Sequence, residues 1–213
     1  MKPALRSDRR SGRRLRRGTG GFTLIDVLVL IVLVGGVAGS LTVLFSRLAA
    51  QSAESMRARQ AIAVGQALLN EVRLMPFSFC DPQDARARLA QRGIVGGTGC
   101  TSRLDTMGPE AGETRYSAAN RFDGVTDYQG FTMPGAGCMG LCDAAGNLIN
   151  PPGSALAGCS ARVLLAPAAL PGVAALDADG QPQALRIDVT VACPGALPLT
   201  LQGLRLRHAP RGV

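Results

Sequence analysis

Gly21-Phe22-Thr23-Leu24-Ile25-Asp26, running straight into the uncharged stretch Val27–Phe45, decides how this chain is read. The residues before it carry eight cations (Lys2, Arg6, Arg9, Arg10, Arg13, Arg14, Arg16 and Arg17) against one acid, Asp8. The 19 residues from Val27 to Phe45 carry no charge and have the length of a membrane span. A cationic flank resists crossing a bilayer, so it stays cytoplasmic while the apolar run inserts. An ordinary secretory signal has a shorter apolar run and ends, rather than begins, with its small-residue cleavage site.

Composition narrows the partners. The 213 residues suit one small domain plus an anchor, and the net charge is +8. Without residues 1–21 the count becomes 15 Arg against 14 acids, or +1, so the basicity belongs to the N-terminal flank. The remainder has no bulk attraction for phosphate, and with 4% aromatics and no Trp it has few stacking platforms for single strands. Nucleic acid is therefore not the expected partner. All six cysteines (Cys80, Cys100, Cys138, Cys142, Cys159 and Cys193) follow the apolar run, on the side that faces the periplasm, where disulfides persist.

The chain divides into five stretches. Residues 1–21 are the basic flank, and 22–46 are the apolar half of one long helix. Residues 47–76 are its amphipathic half, ended by Pro76. Leu48, Met56, Ile62, Leu69 and Val72 form the predicted core-facing stripe. Gly35, Gly36 and Gly39 mark the weakest helical stretch, each costing roughly 0.5–1 kcal/mol relative to alanine. Residues 77–157 are loop-rich. Within them Asp81-Pro82 opens a short predicted helix, 82–92, stopped by Gly93. Phe122, Val125, Tyr128 and Phe131 recur at every third position among turn formers.

Residues 158–213 are predicted as antiparallel β-sheet. Ser160–Ala166 is apolar, and Leu185, Ile187, Val189 and Val191 alternate with polar residues. Leu197, Leu199 and Leu201 continue as Leu204 and Leu206 on the opposite parity, which predicts a β-bulge at Gln202-Gly203. If the strands at 160–166 and 185–193 are antiparallel neighbours, Cys159 falls opposite Cys193, the first expected disulfide. Cys138–Cys142 and Cys80–Cys100 follow by proximity, although sequence alone leaves the other pairings open.

Gly21-Phe22-Thr23-Leu24-Ile25-Asp26 with its arginine flank resembles the class III leader of the type IV prepilin and pseudopilin superfamily. The resemblance implies cleavage by a prepilin peptidase between Gly21 and Phe22 and N-methylation of the Phe22 amine. It also implies a role in assembly for Thr23 and Asp26, with Asp26 standing where the family has glutamate. Three pieces, Gln66-Ala-Leu-Leu-Asn-Glu71, Pro76-Phe-Ser-Phe-Cys80 and Phe122-Asp…Asp127-Tyr128, loosely resemble the MshD minor pilins of mannose-sensitive haemagglutinin pili.

The implied fold is α+β: a type IV pilin-like long helix packed on a C-terminal antiparallel sheet, with disulfide-bonded loops. The implied function is that of a minor pilin, held in the inner membrane as a single pass and then transferred to a pilus or pseudopilus. Its partners would be the peptidase, other pilin subunits and the assembly machinery. Alternatives are a type II secretion pseudopilin and an adhesive or DNA-capturing tip module. Clustering of Arg86, Arg88, Arg92 and Arg103 would favour the DNA reading.

No active site, cofactor or metal is expected. His208 is the only histidine, so no Ser/His/Asp or Cys/His set can be assembled. Cys138-Met-Gly-Leu-Cys142 lacks the CxxC spacing of a redox pair and reads as a structural bridge. Asp177-Ala-Asp179-Gly180 could begin a calcium loop, with Asp123 and Asp127 as further oxygen donors. The closing glutamate of an EF-hand is missing, and Asp-Gly equally makes a turn.

Overall fold

The computed structural model describes Gly21 and residues 23–207; the rest of the basic flank, Phe22 and His208 lie outside the described residues. The chain forms two compact units, Met1–Ala50 and Gln51–Val213, which places the division slightly beyond the predicted change at residue 47. One helix, α1 (Leu24–Leu74), runs through both.

In the first unit every described residue from Leu24 to Ala49 is exposed, and this is the segment long and apolar enough to cross a membrane. Its few hydroxyls fold back on the helix. The Ser40 hydroxyl donates to the Gly36 carbonyl, and the Thr42 hydroxyl donates to the Ala38 carbonyl at 2.9 Å. Such back-bonding gives the hydroxyls partners within the helix itself. Helix continues unbroken through Gly35, Gly36 and Gly39.

In the second unit α1 turns one face to a four-stranded antiparallel sheet. The strands, in spatial order, are β1 (Thr132–Met133), β2 (Ser160–Pro167), β3 (Ala184–Ala192) and β4 (Leu199–Leu206). β1 belongs to the loop-rich stretch 77–157, where no strand was expected, so the sheet gathers residues from both regions after the helix. Alternation holds on the two central strands. Ala161, Val163 and Leu165 of β2 and Leu185, Ile187, Val189 and Val191 of β3 are buried, while Arg162, Leu164 and Arg186 face outward.

The buried face of α1 comprises Ala61, Gly65, Leu68, Leu69 and Val72, with Val64 half-buried. This corrects the predicted stripe: Leu69 and Val72 are core, but Leu48, Met56 and Ile62 are exposed. Small residues displace the larger ones because the helix lies close to the sheet. A Cβ at Gly65 would sit 3.0 Å from Leu201 Cδ1 and 3.4 Å from Val191 Cγ2. A Cβ at Gly203 would sit 2.9 Å from Leu69 Cδ1 and 3.1 Å from Arg73 Cδ.

Gly203 also explains why the predicted bulge does not form. The β3–β4 ladder is unbroken from Ala184 opposite Leu206 to Val191 opposite Leu199. The parity change at Gln202-Gly203 places Leu204 and Leu206 on the outer, exposed face, while the inner face carries a glycine where the helix needs room.

The short helix expected over 82–92 is a succession of turns. Leu89, its one large apolar residue, is exposed, so that segment has no face to bury, and a helix of that length is marginal alone. Asp84 instead turns inward. Its Oδ1 accepts the Arg86 and Thr101 amides at 2.8 and 3.0 Å, and its Oδ2 accepts those of Ser102 and Arg103 at 2.7 and 3.1 Å. The Cys80–Cys100 disulfide closes the same loop. Cys138 pairs with Cys142. Antiparallel pairing of Ser160 with Ala192 carries on to Cys159 and Cys193, whose Cα atoms are 4.1 Å apart and which are also bridged. No cysteine is free.

Replacing Gly65 with leucine should separate the two demands on that position. Leucine gains about 1 kcal/mol of helix propensity but overfills the contact with Leu201, so the net change should be a loss of about 1–3 kcal/mol. Thermal or urea unfolding of the variant measures it. A neutral or stabilising result would mean that α1 does not lie this close to β4.

Candidate functional site

Two places gather the residues with chemical potential: the start of α1 and the loop segment 105–133, which covers the end of α1 and the β2 edge of the sheet.

At the start of α1, Thr23 and Asp26 bind each other reciprocally. The Thr23 hydroxyl and amide donate to Asp26 Oδ2 at 2.6 and 3.0 Å, and the Asp26 amide donates to Thr23 Oγ1 at 3.3 Å. This is a capping box, with Thr23 as the N-cap and Asp26 three residues on. A carboxylate there also suits the positive end of the helix dipole. Among the described residues all the hydrogen bonds to this carboxylate use Oδ2, so Oδ1 remains open to another donor. Gly21 is exposed just ahead of the cap, and the expected cleavage and methylation position Phe22 lies outside the described residues.

In the second unit a buried polar assembly ties α1 to the loops. Arg115, 4% exposed, holds Glu71 of α1 with two bonds, Nε to Oε1 at 2.7 Å and Nη2 to Oε2 at 2.6 Å. Such fork-to-fork pairing is the strongest form a carboxylate–guanidinium contact takes. The Tyr128 hydroxyl donates to Glu71 Oε1 at 2.7 Å, and Arg115 Nη1 reaches the Tyr116 hydroxyl at 2.7 Å and the Cys142 carbonyl at 3.1 Å.

Burial pushes the Glu71 carboxyl up, but the bonds from Arg115 and Tyr128 outweigh it and hold the group below its usual range. Burial, with Glu71 beside it, holds the Tyr128 phenol above its usual range. Phe122, Tyr128 and Phe131 meet edge to face with centroids 5.1–5.9 Å apart, so the three-residue spacing seen in the sequence builds one aromatic cluster. A single 3-10 turn at Thr126–Tyr128 spans the middle of that stretch.

Beside this cluster lies a cleft of about 220 Å³ walled in part by Glu113, Arg115, Phe122, Asp127 and Phe131. The carboxyl oxygens of Glu110, Glu113 and Asp127 lie within 4.8 Å of one another. One shared cation or shared protons would equally account for that spacing. Asp127 is almost wholly buried, and its Oδ2 accepts the Asp123 and Gly124 amides at 2.9 and 2.7 Å. Burial pushes Asp127 up to about 6 and Asp105 up to about 7. Glu113 rises to about 8 through burial and its hydrogen bond with Glu110. Sequence reasoning named Glu71, Asp127 and Tyr128 within separate pieces of the resemblance, but not Arg115, Glu110 or Glu113, and joined none of them into one site. From Glu71 to Asp127 these charges are spread over 57 positions, with no spacing pattern to join them.

The other residues weighed from sequence do not come together. Asp177 Oδ1 accepts the Asp179 and Gln181 amides, both at 2.9 Å, while both oxygens of Asp179 are taken by Arg92, so that stretch is a turn with an ion pair. Asp123 and Asp127 are in a different loop. Of the four arginines considered as a basic face, Arg92 pairs with Asp179, Arg103 with Asp81 at 3.4 Å, and Arg86 with the Gly97 carbonyl. Such ties to carboxylates and carbonyls reduce what this surface could offer to phosphate.

Removing one partner of the Glu71–Arg115 pair should be far more damaging than removing both. Arg115→Met strands Glu71 against the aromatic cluster and should cost about 3–5 kcal/mol, whereas Arg115→Met with Glu71→Leu should recover a large part of it. A double-mutant cycle by chemical unfolding reads the difference, and strictly additive losses would show that the two side chains act separately. Compared with family models, curated proteins and solved structures, the chain matches none.

Proposed function

We propose that this protein is a filament subunit of the type IV pilin kind, most simply a minor pilin. One observation carries the reading: a single helix serves two opposite purposes. Up to Ala49 it exposes uncharged, mostly apolar side chains all round, apart from Asp26 at its start and Arg47 near the end, and from Ala61 onward it is the buried spine of a disulfide-bonded α+β domain. A soluble domain has no use for the first half, and a simple membrane anchor has no need to continue without a break into the fold. A subunit that leaves lipid for a bundle of like helices needs both.

The leader motif supports the same reading. A peptidase cut after Gly21 would free the amine of Phe22, one residue before Thr23 and four before Asp26, whose carboxylate has one oxygen uncommitted. In an apolar bundle an unpaired charge is costly, so a carboxylate–amine pair between neighbouring helices would set their relative height. The role is structural, with prepilin peptidase, other pilin subunits and the inner membrane as partners. A pseudopilin of a secretion system would use the same helix in the same way and differs only in the machine it joins.

Mass spectrometry of the protein recovered from sheared surface filaments should find a chain that begins at methylated Phe22. Gly21→Leu should block the cut and leave a form heavier by the 21 preceding residues. Wild-type protein that retains those residues in the filament, or is cut beyond α1, would overturn the reading.

Asp26→Ala should lower incorporation into filaments while the isolated protein keeps its unfolding midpoint. Asp26→Glu should restore incorporation, since glutamate reaches the same donor with one more methylene. Normal assembly of the alanine variant would remove the pairing role.

A further inference from the structure

The two edges of the sheet are finished differently. Along β2 the edge is closed. β1 pairs with Ala161 and Arg162, the Gly130 amide donates to the Val163 carbonyl at 3.2 Å, and the Val163 amide donates to the Phe131 carbonyl at 2.9 Å. The Leu165 amide donates to Gln129 Oε1 at 2.6 Å. Along β4, among the described residues, the backbone bonds only to β3. Its other side is a row of amides and carbonyls left to the surroundings.

Proteins ordinarily protect such an edge by keeping it short, by a bulge, or by lysine or proline. β4 is eight residues long, its ladder with β3 is unbroken, and Leu-Thr-Leu-Gln-Gly-Leu-Arg-Leu contains neither lysine nor proline. Its one charge is Arg205, on the helix side. A single cation there repels a basic strand and attracts an acidic one, so it selects among partners rather than refusing all of them.

Two guanidiniums of α1 join it. Arg57 Nη1 reaches the Pro194 carbonyl, in the loop before β4, at 3.4 Å, and Arg205 Nη2 reaches the Met75 carbonyl at 3.1 Å. Arg73 is exposed between them, its Cδ 3.1 Å from the point that a Cβ on Gly203 would occupy. Among the described residues no carboxylate pairs with any of the three, and the Nε atoms of Arg57 and Arg205 are buried without a hydrogen-bond partner. Nearby acids are engaged: Glu71 holds Arg115 on the other flank of α1, and Asp188 of β3 is taken by Arg186 and Gln202.

We propose that the free edge of β4 is a docking site for an extended segment of a partner protein that carries carboxylates at alternate positions, with Arg57, Arg73 and Arg205 reading the charge. Only an extended polypeptide matches a row of alternating amides and carbonyls, and this mode of strand addition draws its affinity from the main chain. Specificity comes from the side chains. Every second residue of the added strand faces the helix side, where guanidiniums hold carboxylates in paired bonds. A nucleic acid could use the arginines but not the backbone edge. In a filament the segment would belong to a neighbouring subunit, but the site does not rest on that reading.

Hydrogen–deuterium exchange of the full-length protein in detergent tests it, with synthetic octapeptides as probes. One alternates glutamate with valine, a second has lysine in place of glutamate, and a third is the glutamate peptide with its central amides N-methylated. At saturation the glutamate peptide should slow exchange about tenfold or more at the β4 amides not bonded to β3, while β2 and β3 amides keep their rates. The lysine and N-methylated peptides should bind at least about tenfold more weakly. Arg73→Gln should weaken the glutamate peptide about tenfold, and Arg57→Gln provides the same test if the first variant folds poorly. The site is overturned if the glutamate peptide leaves β4 exchange unchanged, if either control peptide protects β4 equally, or if both variants bind like the wild type. Duplex DNA that displaces the glutamate peptide and binds more tightly would also overturn it. So would protection of the same amides without peptide that falls on dilution, since a second copy would then hold the edge.

Discussion

Everything in the folded domain follows from how closely α1 lies on β3 and β4. Gly65 on the helix and Gly203 on the strand each sit where a side chain would meet its neighbour at about van der Waals limit or inside it. That closeness brings Leu68, Leu69 and Val72 against Ile187 and Val189 and closes a dry core. It also puts Glu71 at the rim of that core, where a carboxylate must find a partner, and Arg115 supplies one from a loop 44 positions later. The helix–sheet contact thus dictates where the loops go.

The loops themselves contain almost no regular structure, and they hold their shape by other means. Two disulfides pin Cys80 to Cys100 and Cys138 to Cys142, and Asp84 gathers amides from a stretch 17 to 19 residues away. Arg115 then crosslinks helix, aromatic cluster and the Cys142 carbonyl. A small core limits how much stability burial alone can provide, so covalent and buried polar crosslinks take a larger share.

The opposite regime applies to the first half of α1. Among the described residues it has no internal partner, and its hydroxyls bond back to its own carbonyls. Under the filament proposal its exposed apolar surface would be covered by lipid or by other helices of the same kind. One continuous helix thus carries both a wholly exposed apolar stretch and the buried face of a folded domain. This is the physical content of the filament proposal.

Much of this was legible from the chain. The uncharged run and Pro76 predict the long helix, because apolar composition and proline each act on a local stretch of residues. Alternation in β3 and the placing of Cys159 and Cys193 predict their own pairing, since the strand period is local too. What tertiary structure alone decided was long-range. Leu48, Met56 and Ile62 fit a helical stripe as well as Ala61 and Gly65 do, and only the closeness of the sheet selects the small residues. Helix signals at 82–92 lost to amides 17 and more positions away. Leu204 and Leu206 imitated a bulge because the inner position just before them, Gly203, had to be empty for α1. Glu71, Arg115 and the three cleft acids carry no shared spacing, so only the fold could bring their charges together.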